Sequence, residues 1–388
     1  MAEREQRVTP LELFFDLVFV YAITQVTLLM SDDPTWRGVG RGLLVLAALW
    51  WAWSGYAWLT NLLEPEEGPV RAGMFAAMAA LLVVALAVPG ALGDDAVLFA
   101  VAYLVVRLLQ LLLFAIAGKR DPDLLEAIVR WLPAATLAPV IIVVAAFVGG
   151  DALVALWIVA LAVDYLGPLI GRGRGLRVSP AHFAERYGLI VIIALGESIV
   201  AIGIGAAGVA LTSRIVAAAV LGIIVVAALW WAYFDVYAVG AQRELSEARG
   251  VARARLAQDY FSYLHLPMIA GIVLFALGLK KTVERVGEPL DTVPAVALCC
   301  GLSLYFLTHV ALRIRLVHSV RRRTTERPGW IGPGRLVTAI ALLALLPAAL
   351  ELPALTALAL VAGACCALIA YDVIHYRLER VEVRRARP

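Results

Sequence analysis

Apolar residues in this chain run on for whole membrane thicknesses instead of alternating in short blocks. Twelve runs approach the roughly 20 residues that a helix needs to cross about 30 Å of hydrocarbon. They lie near residues 10–30, 39–61, 70–91, 95–118, 125–148, 152–171, 183–208, 214–239, 257–279, 292–317, 334–350 and 353–376. The eleventh is the shortest, separated from the twelfth by Glu351 to Pro353. Connections are short except 240–256 and 318–333, so no separate soluble domain fits between spans. The pattern predicts an all-α polytopic membrane protein of about twelve transmembrane helices.

Composition agrees. Of 388 residues 62% are hydrophobic and 16% charged, with a mean hydropathy of +0.88, whereas soluble domains carry roughly 25% charge. The polar opening residues lack the layout of a cleaved signal peptide, so the first helix is expected to be retained. Cys299/Cys300 and Cys365/Cys366 are adjacent pairs inside apolar runs. Neighbouring helical residues point about 100° apart, which favours packing over a disulfide or a zinc site.

Lys and Arg are distributed unevenly. If the N-terminus is cytoplasmic, the external segments hold Arg37, Arg41, Arg214, Lys280, Lys281 and Arg285. Most of the other basic residues, from Arg4 and Arg7 through the run Arg321 to Arg323 to the tail arginines, fall inside. The positive-inside rule therefore places both termini in the cytoplasm, which needs an even number of spans. The basic run and tail are also suited to anionic lipid.

A repeat is visible within the chain. Ala47 to Trp53 reads AALWWAW, and Ala227 to Tyr233 reads AALWWAY, in the second and eighth spans. Tyr103 and Arg107 in span four echo Tyr305 and His309 in span ten, and Asp164 echoes Asp372. Two parallel six-helix repeats are expected, 1–175 and 176–388, with a pathway between them. The Trp pairs Trp50/Trp51 and Trp230/Trp231 sit well inside their spans and are expected to fill helix crossings.

Ionisable residues inside spans are costly and mark functional sites by default. In the first span Glu12 and Asp16 are four apart and share a face, with Thr24 and Thr27 extending the polar stripe. In the seventh, His182, Glu185, Arg186 and Glu197 gather on one side. Arg186 and Glu197 are about 16 Å apart along the axis, which takes Glu197 close to the bilayer centre. Glycines 188, 196, 203, 205 and 208 thin that helix for close packing or for a local break. Arg107 and His309 lie halfway along their spans, and His265 stands beside Pro267, where a kink is expected. Two layers result. Glu12, Asp16, Glu185, Arg186, Asp164 and Asp372 form an inner ring, and Glu197, with Ser198 beside it, meets Arg107 and His309 in a central set.

The stretches ELFFDLVFV and HFAERYGLIVIIALGES, on spans one and seven, resemble the two signature segments of the bacterial low temperature requirement A (LtrA) family. Glu12 to Phe19, Glu185, Arg186 and Leu195 to Ser198 carry the resemblance, and Tyr263 to Val273 adds to it. It implies an integral cytoplasmic-membrane protein and supplies no substrate. Phe14, Phe15 and Asp16 also stand where two-repeat potassium channels carry a Phe-Ser-Asp signature, an architectural analogy that span seven does not share.

Walker, dinucleotide, HExxH and GxSxG motifs are absent from the sequence. Asp372 and His375 share a face and would need a third ligand to hold a metal; no metal or cofactor is assigned. The leading expectation is a transporter or channel for a small ion or charged solute. In it Glu197 is the coupling carboxylate, Arg107 and His309 are its counter-charges, and Glu12, Asp16, Glu185 and Arg186 form the cytoplasmic mouth. The alternatives are an intramembrane enzyme acting on a lipid or isoprenoid and a non-catalytic scaffold or sensor. Expected partners are the lipid bilayer and the solute, with no nucleic acid; a homo-oligomer is compatible with the sequence.

Overall fold

The structure is a computed structural model describing residues 7–66, 68–119, 121–170, 173–321 and 333–375. The basic positions Arg4, Arg120, Arg172, Arg322, Arg323, Arg327 and the tail arginines lie outside them. Among the described residues twelve helices are long and apolar enough to cross a membrane. They are α1 (Pro10–Asp32), α2 (Trp36–Thr60), α3 (Gly68–Ala87), α4 (Ala96–Gly118), α5 (Pro122–Val148), α6 (Gly150–Leu169), α7 (Pro180–Ala206), α8 (Ser213–Glu247), α9 (Gly250–Glu284), α10 (Thr292–Val317), α11 (Gly334–Glu351) and α12 (Ala354–His375).

Two helices outgrow their apolar runs. α8 and α9 are 35 residues each, about 52 Å at 1.5 Å per residue, so the expected 240–256 connection is mostly helix. The two meet at a turn where Gly250 has φ +53°, a conformation that side chains other than glycine adopt at a cost. Arg253 ties the turn by donating to the carbonyls of Ala248 and Val178 at 2.7 and 3.2 Å. Each helix also contains a π-helical segment, Tyr233–Tyr237 in α8 and Gln258–Tyr263 in α9. The second explains how Pro267 is tolerated: its ring would collide with the carbonyl four residues earlier, that of Tyr263, and the wide turn ending there relieves the clash. α11 is interrupted near Leu345, just before Pro347.

The chain divides into two compact units. The first comprises Met1–Asp33, Arg37–Tyr187 and Leu245–Ser262; the second comprises Pro34–Trp36, Gly188–Glu244 and Tyr263–Pro388. α7 thus gives its first turns to the first unit, past the expected boundary at 175.

In the first unit α1 packs on α3, and α3, α4, α5 and α6 follow in sequence. Its core is aromatic: Trp50, Trp53, Tyr56 and Tyr187 are each at most 1% exposed. Leu17, Leu112, Val129 and Phe147 are exposed, as suits side chains solvated by lipid. In the second unit α9 packs on α10, α10 on α11, and α8 and α11 on α12. α9 and α10 touch through backbone. A Cβ at Gly271 would lie 2.6 Å from the Gly301 carbonyl, and one at Gly278 would lie 2.6 Å from the Leu298 amide.

Glycines in α7 act differently. The helix runs unbroken, and a Cβ at Gly196 or Gly203 would meet nothing within 4 Å; only at Gly205 does a neighbouring backbone, that of Lys280, come within 2.8 Å. The Trp pairs also diverge. Trp50 and Trp51 are buried, whereas Trp230 and Trp231 are 47% and 37% exposed, so the second pair does not fill a crossing.

Gly278→Val is expected to destabilise the protein by about 1–3 kcal/mol, because the added atoms overpack a backbone contact. Gly203→Ala should be neutral or stabilising by up to about 1 kcal/mol through helix propensity. Thermal unfolding of the two variants in the same detergent measures both.

Candidate functional site

The capping of α1 places its carboxylates. Thr9 caps the helix and accepts from the Glu12 amide at 3.3 Å, while its own amide donates to Glu12 Oε2 at 2.8 Å, a reciprocal box that fixes the first turn. The other Glu12 oxygen faces α7. His182 Nε2 lies 2.9 Å from Glu12 Oε1, and Arg186 Nε 3.5 Å from it. Arg186 Nη1 donates to Asp16 Oδ2 at 2.7 Å and to the Glu12 carbonyl at 3.1 Å. Trp53 Nε1 donates to Asp16 Oδ1 at 2.9 Å, with the guanidinium 5.7 Å over the Trp53 ring.

Two i,i+4 pairs therefore face each other, acids on α1 and bases on α7. Glu12, His182 and Arg186 are fully buried and Asp16 is 1% exposed. The entry to α7 is held by Asn61 at the end of α2, which donates to the Arg177 carbonyl and accepts from the Ser179 amide, both at 2.8 Å. The expected mouth of Glu12, Asp16, Glu185 and Arg186 is thus a closed cluster at three of its positions. Glu185 is exposed and accepts from the Val8 amide at 3.2 Å; His182 takes the place foreseen for it.

A second constellation lies within the same unit. Arg107 of α4 donates to Asp164 of α6 at 2.7 Å, with both side chains nearly buried. The sequence had put these residues in different layers; the Asp164 carboxylate is the ion partner of Arg107. The pair forms part of the wall of a partly open cavity of about 110 Å³. Trp51, Trp58, Phe114 and Trp131 give it aromatic sides, and Ser54, Gln110, Gln258 and Ser262 add polar positions. Close α2–α4 packing makes its back: Tyr56 donates to the Val106 carbonyl at 2.9 Å and Gln110 to that of Ala52 at 3.1 Å. A Cβ at Gly55 would stand 2.1 Å from Gln110 Nε2.

The cluster and the cavity share hydrogen-bonded neighbours. Ser54, next to Trp53, bonds the Tyr187 hydroxyl at 2.8 Å, and Tyr187, next to Arg186, bonds Ser262 Oγ at 3.1 Å. Trp58 Nε1 donates to the same Ser262 oxygen and Trp50 Nε1 to the Ser262 carbonyl, each at 2.8 Å. Charge and mid-span depth were the signals read from sequence, and the neutral Ser54, Gln110, Gln258 and Ser262 carry neither.

In the second unit Glu197 is 2% exposed and Ser198 fully buried. His309 is fully buried, its Nδ1 2.9 Å from the Tyr305 carbonyl and its ring 4.4 and 4.6 Å from the Tyr305 and Tyr237 rings. Tyr237 also lies 4.8 Å beneath the Arg335 guanidinium, and Arg335 Nη1 is 3.0 Å from Asp372. Asp372 is thereby engaged by Arg335, while His375 is exposed with its Nδ1 3.2 Å from the Tyr371 carbonyl, so the two do not face one ligand. In the sequence Arg335 stands only as a basic residue at the start of the eleventh apolar run. His265 Nε2 lies 2.9 Å from the Tyr233 hydroxyl.

A family model described as bacterial low temperature requirement A protein (LtrA) matches residues 7–370. An uncharacterized protein of Rhizobium meliloti (strain 1021) is similar to this chain, 34% identical over 278 residues that cover 69% of the chain and 67% of the relative.

Replacing Arg186 by Met strands the buried Asp16 carboxylate and leaves Glu12 to His182, and is expected to cost about 3–5 kcal/mol. Glu185→Gln, on the exposed side of the same turn, should change little. Denaturation of both variants in one detergent provides the comparison.

Proposed function

This chain belongs to the bacterial low temperature requirement A family, and on that premise we propose that it moves a small charged solute across the membrane, binding it in the cavity of the first unit. The observation that carries this reading is the buried Arg107–Asp164 ion pair in the wall of a partly open cavity. Ion pairs buried at this depth seldom add stability over apolar packing of the same shape, and intramembrane charges that border a cavity mark solute paths. Aromatic sides with a few convergent polar groups are the usual make-up of a small-molecule site. Glu197 of α7 supplies a buried carboxylate suited to coupling solute movement to protons. Both termini lie in the cytoplasm on this reading, as the distribution of arginine predicts.

Uptake into proteoliposomes from a panel of inorganic ions, amino acids and organic acids tests the proposal. At least one solute should enter with saturable kinetics. The double variant Arg107→Met, Asp164→Leu keeps the volume without leaving a lone charge; it should remain folded and lose most of that flux, about 10-fold or more. Undiminished flux in a folded double variant overturns the assignment of the site. Glu197→Gln should abolish dependence on a proton gradient.

A further inference from the structure

We propose that the cavity of the first unit takes an amphipathic organic anion, its acid group among Arg107, Arg130 and Arg174 and its apolar body between the aromatic sides. This deepens the transport reading above and rests on it for the direction of travel, though not for the binding chemistry.

Three arginines and a single carboxylate line the cavity. Asp164 is consumed by Arg107. Arg130 pairs with Glu126 one turn back on α5, outside the lining, and that pair is partly exposed. Arg174 is exposed and makes no ion pair among the described residues. The lining is therefore positive in excess, and an anion gains most from the fields of the outer two arginines. The same excess disfavours a cation, even though tryptophan faces would otherwise attract one.

The interior sets the rest of the ligand. Trp51, Trp58, Phe114 and Trp131 offer faces to an apolar body, which a hydrated inorganic anion would leave unused. One polar atom of the wall, Arg107 Nε, has no hydrogen-bond partner among the described residues, in a residue 3% exposed. Buried polar atoms ordinarily find partners, and this one asks for an acceptor, which a carboxylate supplies and a purely hydrocarbon guest lacks. An acid on an aryl or alkyl body meets the demand from two sources, a free carboxylate or an anionic lipid.

Equilibrium binding of radiolabelled phenylacetate to the full chain, in dodecyl maltoside and in nanodiscs, tests the class. Phenylacetate should saturate one site per chain. Acetate, lacking the ring, should compete at least about 10-fold more weakly, and phenethylamine, with the ring and the opposite charge, should not compete. Arg174→Gln, on an exposed connection, should weaken binding about threefold and reduce its salt dependence; Trp131→Ala should weaken it about 10-fold.

Competition by phosphatidylglycerol but not phosphatidylcholine nanodiscs assigns the anion to the bilayer and sustains the proposal; insensitivity to lipid, with saturable phenylacetate, assigns it to a free acid. Phenethylamine binding as tightly as phenylacetate, or no saturable binding of either phenylacetate or anionic lipid, overturns it. Saturable phenylacetate binding with no flux of any solute of the panel defeats the transport reading alone, and saturable flux of a different solute with no anion binding defeats this inference alone.

Discussion

A charge removed from water into a membrane span has to find its opposite, and much of this molecule follows from that. Glu12 and Asp16 are met by His182 and Arg186, Asp164 by Arg107, and Asp372 by Arg335. The first set joins spans distant in sequence, α1 to α7, the second joins α4 to α6, and the third the consecutive α11 and α12. Separating any of them would expose an isolated charge to hydrocarbon, at a cost far above that of shifting a Leu contact. The partners therefore fix both the rotation and the height of the helices that carry them.

The α1–α7 cluster and the cavity are mechanically continuous in the first unit. Trp53 holds Asp16 while its neighbour Ser54 borders the cavity; Arg186 holds both α1 acids while its neighbour Tyr187 bonds Ser54 and Ser262. Adjacent residues on a helix move together. A rotation of α7 that loosened Arg186 would also withdraw the Tyr187 hydroxyl from two residues of the cavity wall.

Similar short strings of sequence do different work in the two units. Tyr103 donates to the Ala48 carbonyl and Tyr305 to the Leu229 carbonyl, a comparable bond in each. Asp164 and Asp372 both take an arginine, but from different spans. AALWWAW packs its tryptophans into a core, whereas AALWWAY exposes Trp230 and Trp231 and passes into a π-helical segment that sets Tyr237 between His309 and Arg335.

What the sequence determined by itself is what depends on length and polarity along one dimension: twelve apolar spans, the shared face of Glu12 and Asp16 on α1, and the family. These survive without tertiary information because hydrocarbon thickness and helix pitch are fixed. Burial of Glu12 and Arg186 against exposure of Glu185 one residue away, the choice of Asp164 as partner to Arg107, and the recruitment of Arg335 were decided only in three dimensions. Helical periodicity says which residues share a side, and not what stands opposite. Ser54, Gln110, Gln258 and Ser262 line the cavity as ordinary neutral residues; their significance arises from α2, α4 and the π-helical turn of α9 converging on one volume, a relation that no spacing along the chain encodes.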